Sequence, residues 1–541
     1  MIHKFSNLNG GVNQFKSIII ISFFISIFTI GIFSVKDYGT TSDEYTHRFN
    51  GFTNLNYIGE KFFPDLTEKY KGEKKYPKLS EYDLRFYGGA AIHAPMAFLE
   101  IAFGIKDKKD VFLFKHYIYF LIFFLSLISF FQLAQGRFSN WKLSLLGVLI
   151  LFLSPRIFAN SFYNNLDIPF MCFLIFSMNY GMRLFQSPNI KNAVLFSAFS
   201  AIAIDIRIMG IIVPFLTFSS IFFYLALKRE NLKNYRLPIL VSFFLMPFFI
   251  ILFFPSLWED PINNFIGTFF NLANHPTAQI YNLYFGEVIE NIKVPWHYIP
   301  IWILITTPIF YLILFFIGTI KIALNTILFS NGKYLQLILQ DLFFLLIVIL
   351  SLTSVIVLNS SLYNGWRHMY FVYPSIVMIS LTGIQFFFKI LKNKYIFVIF
   401  QLTIIFSLMS NGYWMIKNHP HQYVYFNKLP GNNIQNKFDV DYMAASYKEN
   451  LDYLLKVEKK GKLYVWNSSR IVMFYPLFSL SAKDRSRIVT VENKNDADYW
   501  LTNHYLDKQT YDEEFFKKYK LLNEIIVDEV VINSVFKKIK Q

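Results

Sequence analysis

The chain has 541 residues, of which 54% are hydrophobic and 20% aromatic, and its formal net charge is +16. Apolar runs of membrane-spanning length recur along it, so the composition excludes an ordinary soluble protein and predicts a polytopic membrane protein. Lysine and arginine lie mainly in short segments between the apolar runs and in a polar tail, which argues against nucleic acid as a partner. The single cysteine, Cys172, lies within an apolar run and excludes a disulfide framework.

The first apolar run, residues 17–35, is predicted to be a retained membrane span rather than a cleaved signal peptide. Lys4 and Lys16 precede it, but no small-residue cleavage site follows. A span needs about 20 apolar residues, and the sequence predicts about eleven transmembrane helices, two of them short ones around Asp205. The predicted spans are 17–35, 112–133, 141–159, 167–184, 193–206, 209–227, 237–255, 299–320, 341–358, 370–389 and 395–411.

The loops between the spans predict the orientation. With a cytoplasmic N-terminus, every inner loop is short and basic, for example LKRENLKNYR at 227–236, as the positive-inside rule requires. An odd number of spans then places the C-terminus outside. The outer side receives the long segments 36–111 and 256–298, the short segment 359–369 and the tail 412–541. We therefore expect a multi-pass protein of the inner (cytoplasmic) membrane, with a periplasmic or extracellular tail.

Two parts follow from this pattern: a transmembrane domain over residues 1–411 and a small extracytoplasmic α/β domain over 412–541. The first outer loop, 36–111, contains AIHAPMAFLEIAFGI, which is apolar but short and predicts an interfacial or re-entrant helix. In the tail, YKENLDYLLKVEKKG has the pattern of an amphipathic helix. Short strands are predicted at KLYVWN, RIVTVE, ADYWLTN and EIIVDEVVINSVFKKI.

The concentrated polar motifs all fall on the predicted outer face. They are SDEYTH at 42–47, LSPRIFANSFYNNLDIPF at 153–170, IDIRIMG at 204–210, the segment 274–300, and LYNGWRHMYFVYP at 362–374. Charged groups at membrane depth are costly, so several of them on one side indicate a polar cavity. We predict a single outward-facing site at the membrane boundary.

Structural alternatives remain open for the charged residues in these motifs. They are a helix cap for Asp43 and Glu44, a cap of the fourth span for Asp167, mutual pairing for Asp205 and Arg207, and headgroup anchoring for Arg367 and His368.

Acidic and cationic side chains that lie together at the membrane boundary suit the transfer of a sugar from a lipid-linked donor. A lipid-linked sugar donor carries its phosphate at the headgroup level, and an acceptor hydroxyl needs a carboxylate base to attack the sugar. The departing lipid phosphate needs Arg, Lys or His to stabilise its charge. No GxxxxGK[ST], GxSxG, HExxH or CxxC motif supports a rival chemistry.

The chain resembles the GT-C superfamily of integral-membrane glycosyltransferases, most closely the branch of protein O-mannosyltransferases and lipid A aminoarabinose transferases. The resemblance covers the spans and the start of the tail. It rests on five blocks in order: the acidic pair at 43–44, SPRIFANSFYNNLDIPF at 154–170, PWHYIPIWILITTP at 295–308, YNGWRHMYFVYP at 363–374, and HPHQYVYFN at 419–427.

The resemblance implies a polyprenyl-phosphate-linked sugar donor, inversion at the anomeric carbon, Asp43 as general base, and Glu44 as a group that positions the base or the acceptor. We expect the substrate-binding residues to be Arg156, Asp167, Arg207, His297, Arg367 and His368. The acceptor stays open among glycan, lipid and protein, and the sugar is a hexose or a pentose. Some GT-C members use a divalent metal, but no compact ligand cluster stands in the sequence, so we predict no cofactor.

Two other classes of protein remain. A transporter or flippase for lipid-linked sugars would need charges at mid-membrane and repeat symmetry between its halves. The sequence has few charges within spans and no internal repeat. A structural or assembly protein whose tail binds a partner is the other class. Such a protein would not need acidic and cationic side chains to converge on one site.

Overall fold

The structure is a computed structural model that describes residues 10–70, 78–79, 88–228, 232–273, 280–328, 334–470, 473–507 and 509–539. Helices dominate it. In chain order they are α1 (Gly10–Ser34), α2 (Ser42–Phe62), α3 (Pro64–Tyr70), α4 (Ala90–Ala102), α5 (Lys108–Phe138), α6 (Trp141–Phe152), α7 (Pro155–Tyr163), α8 (Asp167–Gln186), α9 (Ile190–Ile206), α10 (Ile212–Lys228), α11 (Lys233–Phe253), α12 (Pro261–Ala273), α13 (Tyr298–Thr306), α14 (Ile309–Ile327), α15 (Leu335–Val357), α16 (Tyr373–Ile390), α17 (Lys394–Lys417), α18 (Tyr447–Val457), α19 (Ala482–Arg485) and α20 (Glu513–Lys518).

The described residues form nine helices that are long and apolar enough to cross a membrane, or ten if the bent pair α6–α7 counts as one span. Many of them expose large apolar side chains such as Phe243 and Phe406, which are 67% and 74% exposed, as expected for surfaces that face lipid. The chain is therefore a multi-pass helical membrane protein. The nine helices are α1, α5, α8, α10, α11, α14, α15, α16 and α17.

The count is lower than the predicted eleven because two predicted spans are not among the nine helices. The predicted span 141–159 is broken into α6 and α7, which meet at 68°. Pro155 disfavours a helical conformation at Ser154, whose backbone is extended. The second, α9, has 17 residues and is about 26 Å long, at the lower limit for a membrane span, so the count of nine leaves it out.

Helix α17 continues to Lys417, past the predicted end of the last span at 411. Gly412, where the predicted tail begins, lies inside this helix. A glycine inside a helix costs only about 1 kcal/mol, so the apolar residues that follow it extend the helix. The predicted span 299–320 is likewise divided into α13 and α14, with Thr307 and Pro308 between them.

The first outer loop holds α2, α3 and α4. Helix α4 has 13 residues and is too short to span, as the sequence predicts. Its first turn is capped by Asp205, whose Oδ2 accepts the Ala91 backbone N–H at 2.9 Å. Asp205 therefore caps a neighbouring helix, and the alternative that it pairs with Arg207 is wrong.

Seven strands occur among the described residues. Strands β1 (Tyr281–Tyr284) and β2 (Glu287–Glu290) form an antiparallel hairpin that the sequence analysis did not predict. The tail contains β3 (Leu463–Asn467), β4 (Ile488–Thr490), β5 (Tyr499–Thr502), β6 (Tyr519–Val527) and β7 (Val530–Lys538) in one mixed sheet of order β4-β3-β5-β7-β6. The apolar face of α18 shares a core with this sheet, which gives the predicted α/β arrangement.

The start of the tail packs into the membrane domain. Tyr423, Val424 and Phe426 belong to the same apolar core as the spanning helices. The rings of Phe112 on α5 and Phe478 are stacked with centroids 5.6 Å apart. The tail therefore covers the end of the helical domain where the polar motifs lie.

Candidate functional site

Asp43 lies in the first turn of α2, directly after the first span. The helix begins at Ser42, and Glu44 stabilises this start because its Oε2 accepts the Thr41 backbone N–H at 2.8 Å. Acidic side chains are favourable in the first turn, where the helix dipole is positive. The Asp43 side chain is 32% exposed, so it lies at the open side of its surroundings.

Arg367 reaches Asp43 from a distant part of the chain. Asn364 and Gly365 adopt positive φ angles of 58° and 70°, which turns the chain just ahead of α16. The turn places the Arg367 side chain inside the protein, 6% exposed. Its Nη1 donates to Asp43 Oδ2 and lies 3.9 Å from Asp167 Oδ2, so one guanidinium serves two carboxylates.

Asp167 is the first residue of α8, and hydrogen bonds hold both its backbone and its side chain. Its backbone N–H donates to Asn164 Oδ1 at 2.8 Å, and the Asn164 side-chain amide donates to Asp167 Oδ2 at 3.1 Å. Its Oδ1 accepts a hydrogen bond from Arg207 Nη2. Asp43, Arg367, Asp167 and Arg207 thus alternate in sign along one chain of contacts, which we name the charged relay.

The charged relay is balanced, since two carboxylates face two guanidinium groups. Pairing offsets much of the cost of removing these charges from water. Some hydrogen-bonding capacity is left over: Arg367 Nε, Arg207 Nε and His47 Nδ1 are buried without a hydrogen-bond partner among the described residues. The two arginine Nε–H groups are buried donors suited to an anionic or polar ligand, and His47 Nδ1 can donate or accept according to the tautomer.

His47 lies one helical turn after Asp43 on α2 and faces the charged relay. Its ring stacks on that of His93 with centroids 5.0 Å apart. Burial lowers the pKa of His47 to about 4, helped by Arg207 and opposed by Asp43, so the imidazole is neutral at neutral pH. The sequence analysis did not select His47, although its four-residue spacing from Asp43 places both on one helix face.

The electrostatics of Asp43 have two opposing causes. Burial acts to raise its pKa, but the Arg367 guanidinium outweighs burial and holds the pKa below its ordinary value. Asp43 is therefore ionised at neutral pH.

His368 and Tyr363 complete the surroundings of the charged relay. The His368 ring meets the Tyr363 ring edge-on at 4.6 Å. The Arg367 guanidinium lies 5.2 Å from the Tyr363 ring centroid, a cation–π distance. Tyr363 is a second residue that the sequence analysis did not select, although it stands in the YNGWRH block.

The side chain of Glu44 contacts a different residue from the one that the side chain of Asp43 contacts. Its Oε1 contacts His116 Nε2 at 2.8 Å, and its side chain is fully buried. Consecutive helical residues point about 100° apart, which explains why two adjacent acids reach separate partners. Glu44 thus fixes the start of the helix that carries Asp43.

Arg156 and His297 are not brought to the charged relay. Arg156 Nε donates to the Tyr425 carbonyl at 3.0 Å, and its guanidinium lies over the rings of Trp302 and Phe426. It is 2% exposed and packs against the start of the tail. His297 Nδ1 is hydrogen-bonded to Tyr284 Oη at 2.6 Å, beside the β1–β2 hairpin. Within the described ranges, no group of three or more His, Cys, Asp or Glu residues lies close enough to hold a metal ion.

Comparisons with known proteins give a distant structural likeness. The chain is similar to ArnT from Cupriavidus metallidurans in the apo state, with 11% identity, a TM-score of 0.47, and coverage of 95% of this chain and 97% of that chain. It is similar to the same protein bound to undecaprenyl phosphate, with 11% identity, the same coverage and a TM-score of 0.49. No family model and no curated protein matches the sequence.

Proposed function

We propose that the chain is an inverting glycosyltransferase that moves a sugar from a polyprenyl-phosphate-linked donor to an acceptor hydroxyl at the outer face of the membrane. The observation that carries this proposal is the contact between Asp43 and Arg367 beside the ends of membrane spans. Sugar transfer to a hydroxyl needs a base next to a cation that stabilises the leaving phosphate. The charged relay supplies both groups.

The depth of the site supports a lipid-linked donor. Asp43 follows the first span, Asp167 is the first residue of α8, and Arg367 is the first residue of the span that contains α16. A polyprenyl tail within the bilayer holds its phosphate near such span ends. The buried Nε groups of Arg207 and Arg367 are available donors for phosphate oxygens.

The proposed reaction is a single displacement. The acceptor oxygen attacks the anomeric carbon while Asp43 takes the hydroxyl proton, and the bond between that carbon and the phosphate oxygen breaks. The lipid phosphate leaves with its negative charge beside Arg367 and Arg207. One displacement inverts the anomeric configuration. Glu44 acts as a positioning residue, because it caps the helix turn that carries Asp43.

A purified-protein assay tests the proposal. The protein is incubated with polyprenyl-phosphate hexoses and pentoses and with lipid, glycan and peptide acceptors, and release of free polyprenyl phosphate is measured. We expect release with at least one donor and none when a nucleotide sugar replaces it. Transbilayer movement of an intact donor without release would instead support a flippase, the alternative that the position of the relay at span ends disfavours.

The orientation is a separate expectation. We propose a cytoplasmic N-terminus and an outer tail in the inner membrane, because the predicted inner loops are short and basic. Reporter fusions after Asn234, in the first turn of α11, and after Lys462, just ahead of β3, should report opposite sides of the membrane. The same side for the two fusions would contradict this orientation.

A further inference from the structure

Arg367 holds two carboxylates that differ in exposure. Asp167 is 2% exposed by side chain and has Arg207 and Asn164 as further partners, whereas Asp43 is 32% exposed. Of the two, Asp43 is thus the carboxylate on the accessible side of the guanidinium. A ligand that approaches Arg367 from the open side meets the Asp43 contact first.

An arriving phosphodiester adds one negative charge to a relay whose charges already cancel. The guanidinium has five N–H donors in a planar fork and suits phosphate as well as carboxylate. Asp167 keeps Arg367 in place, so the guanidinium can exchange Asp43 for phosphate without losing its remaining anchor. The unpartnered Arg367 Nε adds a donor that the carboxylates do not use.

We propose that the donor phosphate displaces Asp43 from Arg367, so that donor binding releases the base and must precede deprotonation of the acceptor. This inference rests on the proposed function. It assigns Arg367 the role of a cation that alternates between Asp43 and phosphate, and Asp167 the role of its fixed anchor.

The surroundings of Asp43 support this exchange. Arg367 is the group that holds the pKa of Asp43 below its ordinary value, whereas burial acts in the opposite direction. Loss of Arg367 leaves burial dominant, so the pKa rises and the carboxylate becomes a stronger base. The other titratable or charged groups that act on Asp43 are His47 from α2, Asp167 from α8, and Tyr363 and His368 from the segment before α16.

The exchange also closes the catalytic cycle. The hydroxyl proton of the acceptor moves to Asp43, the new sugar–oxygen bond forms, and the lipid phosphate keeps the electrons of the broken bond. When the lipid phosphate departs, Arg367 returns to Asp43. The restored ion pair lowers the pKa of Asp43, and its proton leaves to water.

The test measures binding without turnover. The probe is a polyprenyl methyl phosphate diester, which carries one negative charge and does not titrate between about pH 4 and about pH 8, and its Kd is measured by calorimetry on the detergent-solubilised full chain. Binding raises the pKa of Asp43, so the complex takes up a proton. Affinity should therefore fall as pH rises through the interval between the lowered pKa of the free protein and the raised pKa of the complex, by at most about tenfold per pH unit.

Asp43→Asn is the decisive variant, because it removes the competitor for Arg367 and the titrating group together. It should bind the diester more tightly than the wild type at about pH 8, with an affinity that no longer falls with pH. Asp37→Asn is the matched control. Asp37 lies in the same loop and contacts His419 at 2.9 Å instead of an arginine, so this variant should keep the wild-type profile.

Any of the following results would contradict the proposed exchange of Asp43 for phosphate. A pH dependence that survives in Asp43→Asn would belong to His47 or His368. Equal or weaker binding by Asp43→Asn at about pH 8 would mean that Asp43 does not compete with phosphate. A wild type that binds the diester with no pH dependence rejects the exchange alone, whereas a wild type that binds none of it at any pH rejects the proposed donor as well.

Discussion

Asp43→Asn should express and insert normally yet lose sugar transfer by about 10²–10⁴-fold, the usual contribution of a positioned base. A sugar hydroxyl has too high a pKa to attack unaided, and an amide cannot accept its proton. The fold should survive, because Glu44 still caps α2 and Arg367 keeps Asp167 as a partner. The transfer rate and the thermal midpoint of unfolding are measured on the same preparation.

Two variants serve as comparisons for Asp43→Asn. Asp37→Asn removes an acid from the same loop and should keep full transfer. Glu44→Gln should lose less transfer than Asp43→Asn, because the glutamine oxygen can still accept the Thr41 N–H. The substitution removes the negative charge at the positive end of the helix dipole and beside His116, so a drop in stability of about 0.3–1 kcal/mol is expected.

The outcomes separate the roles of the two acids. Full transfer by Asp43→Asn together with an inactive Glu44→Gln would mean that their roles are exchanged. Full transfer by both variants would reduce the acidic pair to a helix cap and remove the proposed mechanism.

Arg367→Ala should reduce transfer by about 10²–10³-fold, as loss of one preorganised group that stabilises developing negative charge does. Arg367→Lys should be impaired as well, because an ammonium group is a point charge and cannot bridge phosphate and Asp167 in one plane. Donor KM and kcat are measured separately, since Arg367 is proposed to act on the bound donor and on the leaving phosphate.

Arg137 provides a matched control for Arg367. Arg137 lies near the C-terminal end of α5, its side chain is 9% exposed, and it donates two hydrogen bonds of 2.6 Å to Asp341. Breaking a buried pair destabilises a protein by about 3–5 kcal/mol. Arg137→Ala should therefore lose stability but keep transfer per folded molecule. If Arg367→Ala shows the same behaviour, Arg367 is a structural residue and does not contact the donor.

The sequence predicted the membrane class, most of the spans and a common site for Asp43, Asp167, His297 and Arg367, of which the structure brings together all but His297. Each of these residues stands next to an apolar run, so its height relative to the membrane follows from its position in the chain. The tail strands were also visible as alternating apolar residues. The hairpin β1–β2 was missed, because strands of four residues each are too short for an alternating pattern to stand out.

The sequence by itself determined which residues lie at the membrane boundary, because apolar runs of known rise per residue fix the level of each span end. Only the tertiary structure decided which of those residues face one another. Arg207 meets Asp167 and not its neighbour Asp205, while Glu44 meets His116 and not Arg367. The direction of a side chain around a helix axis depends on how the helices pack, so residues at one level separate into different clusters.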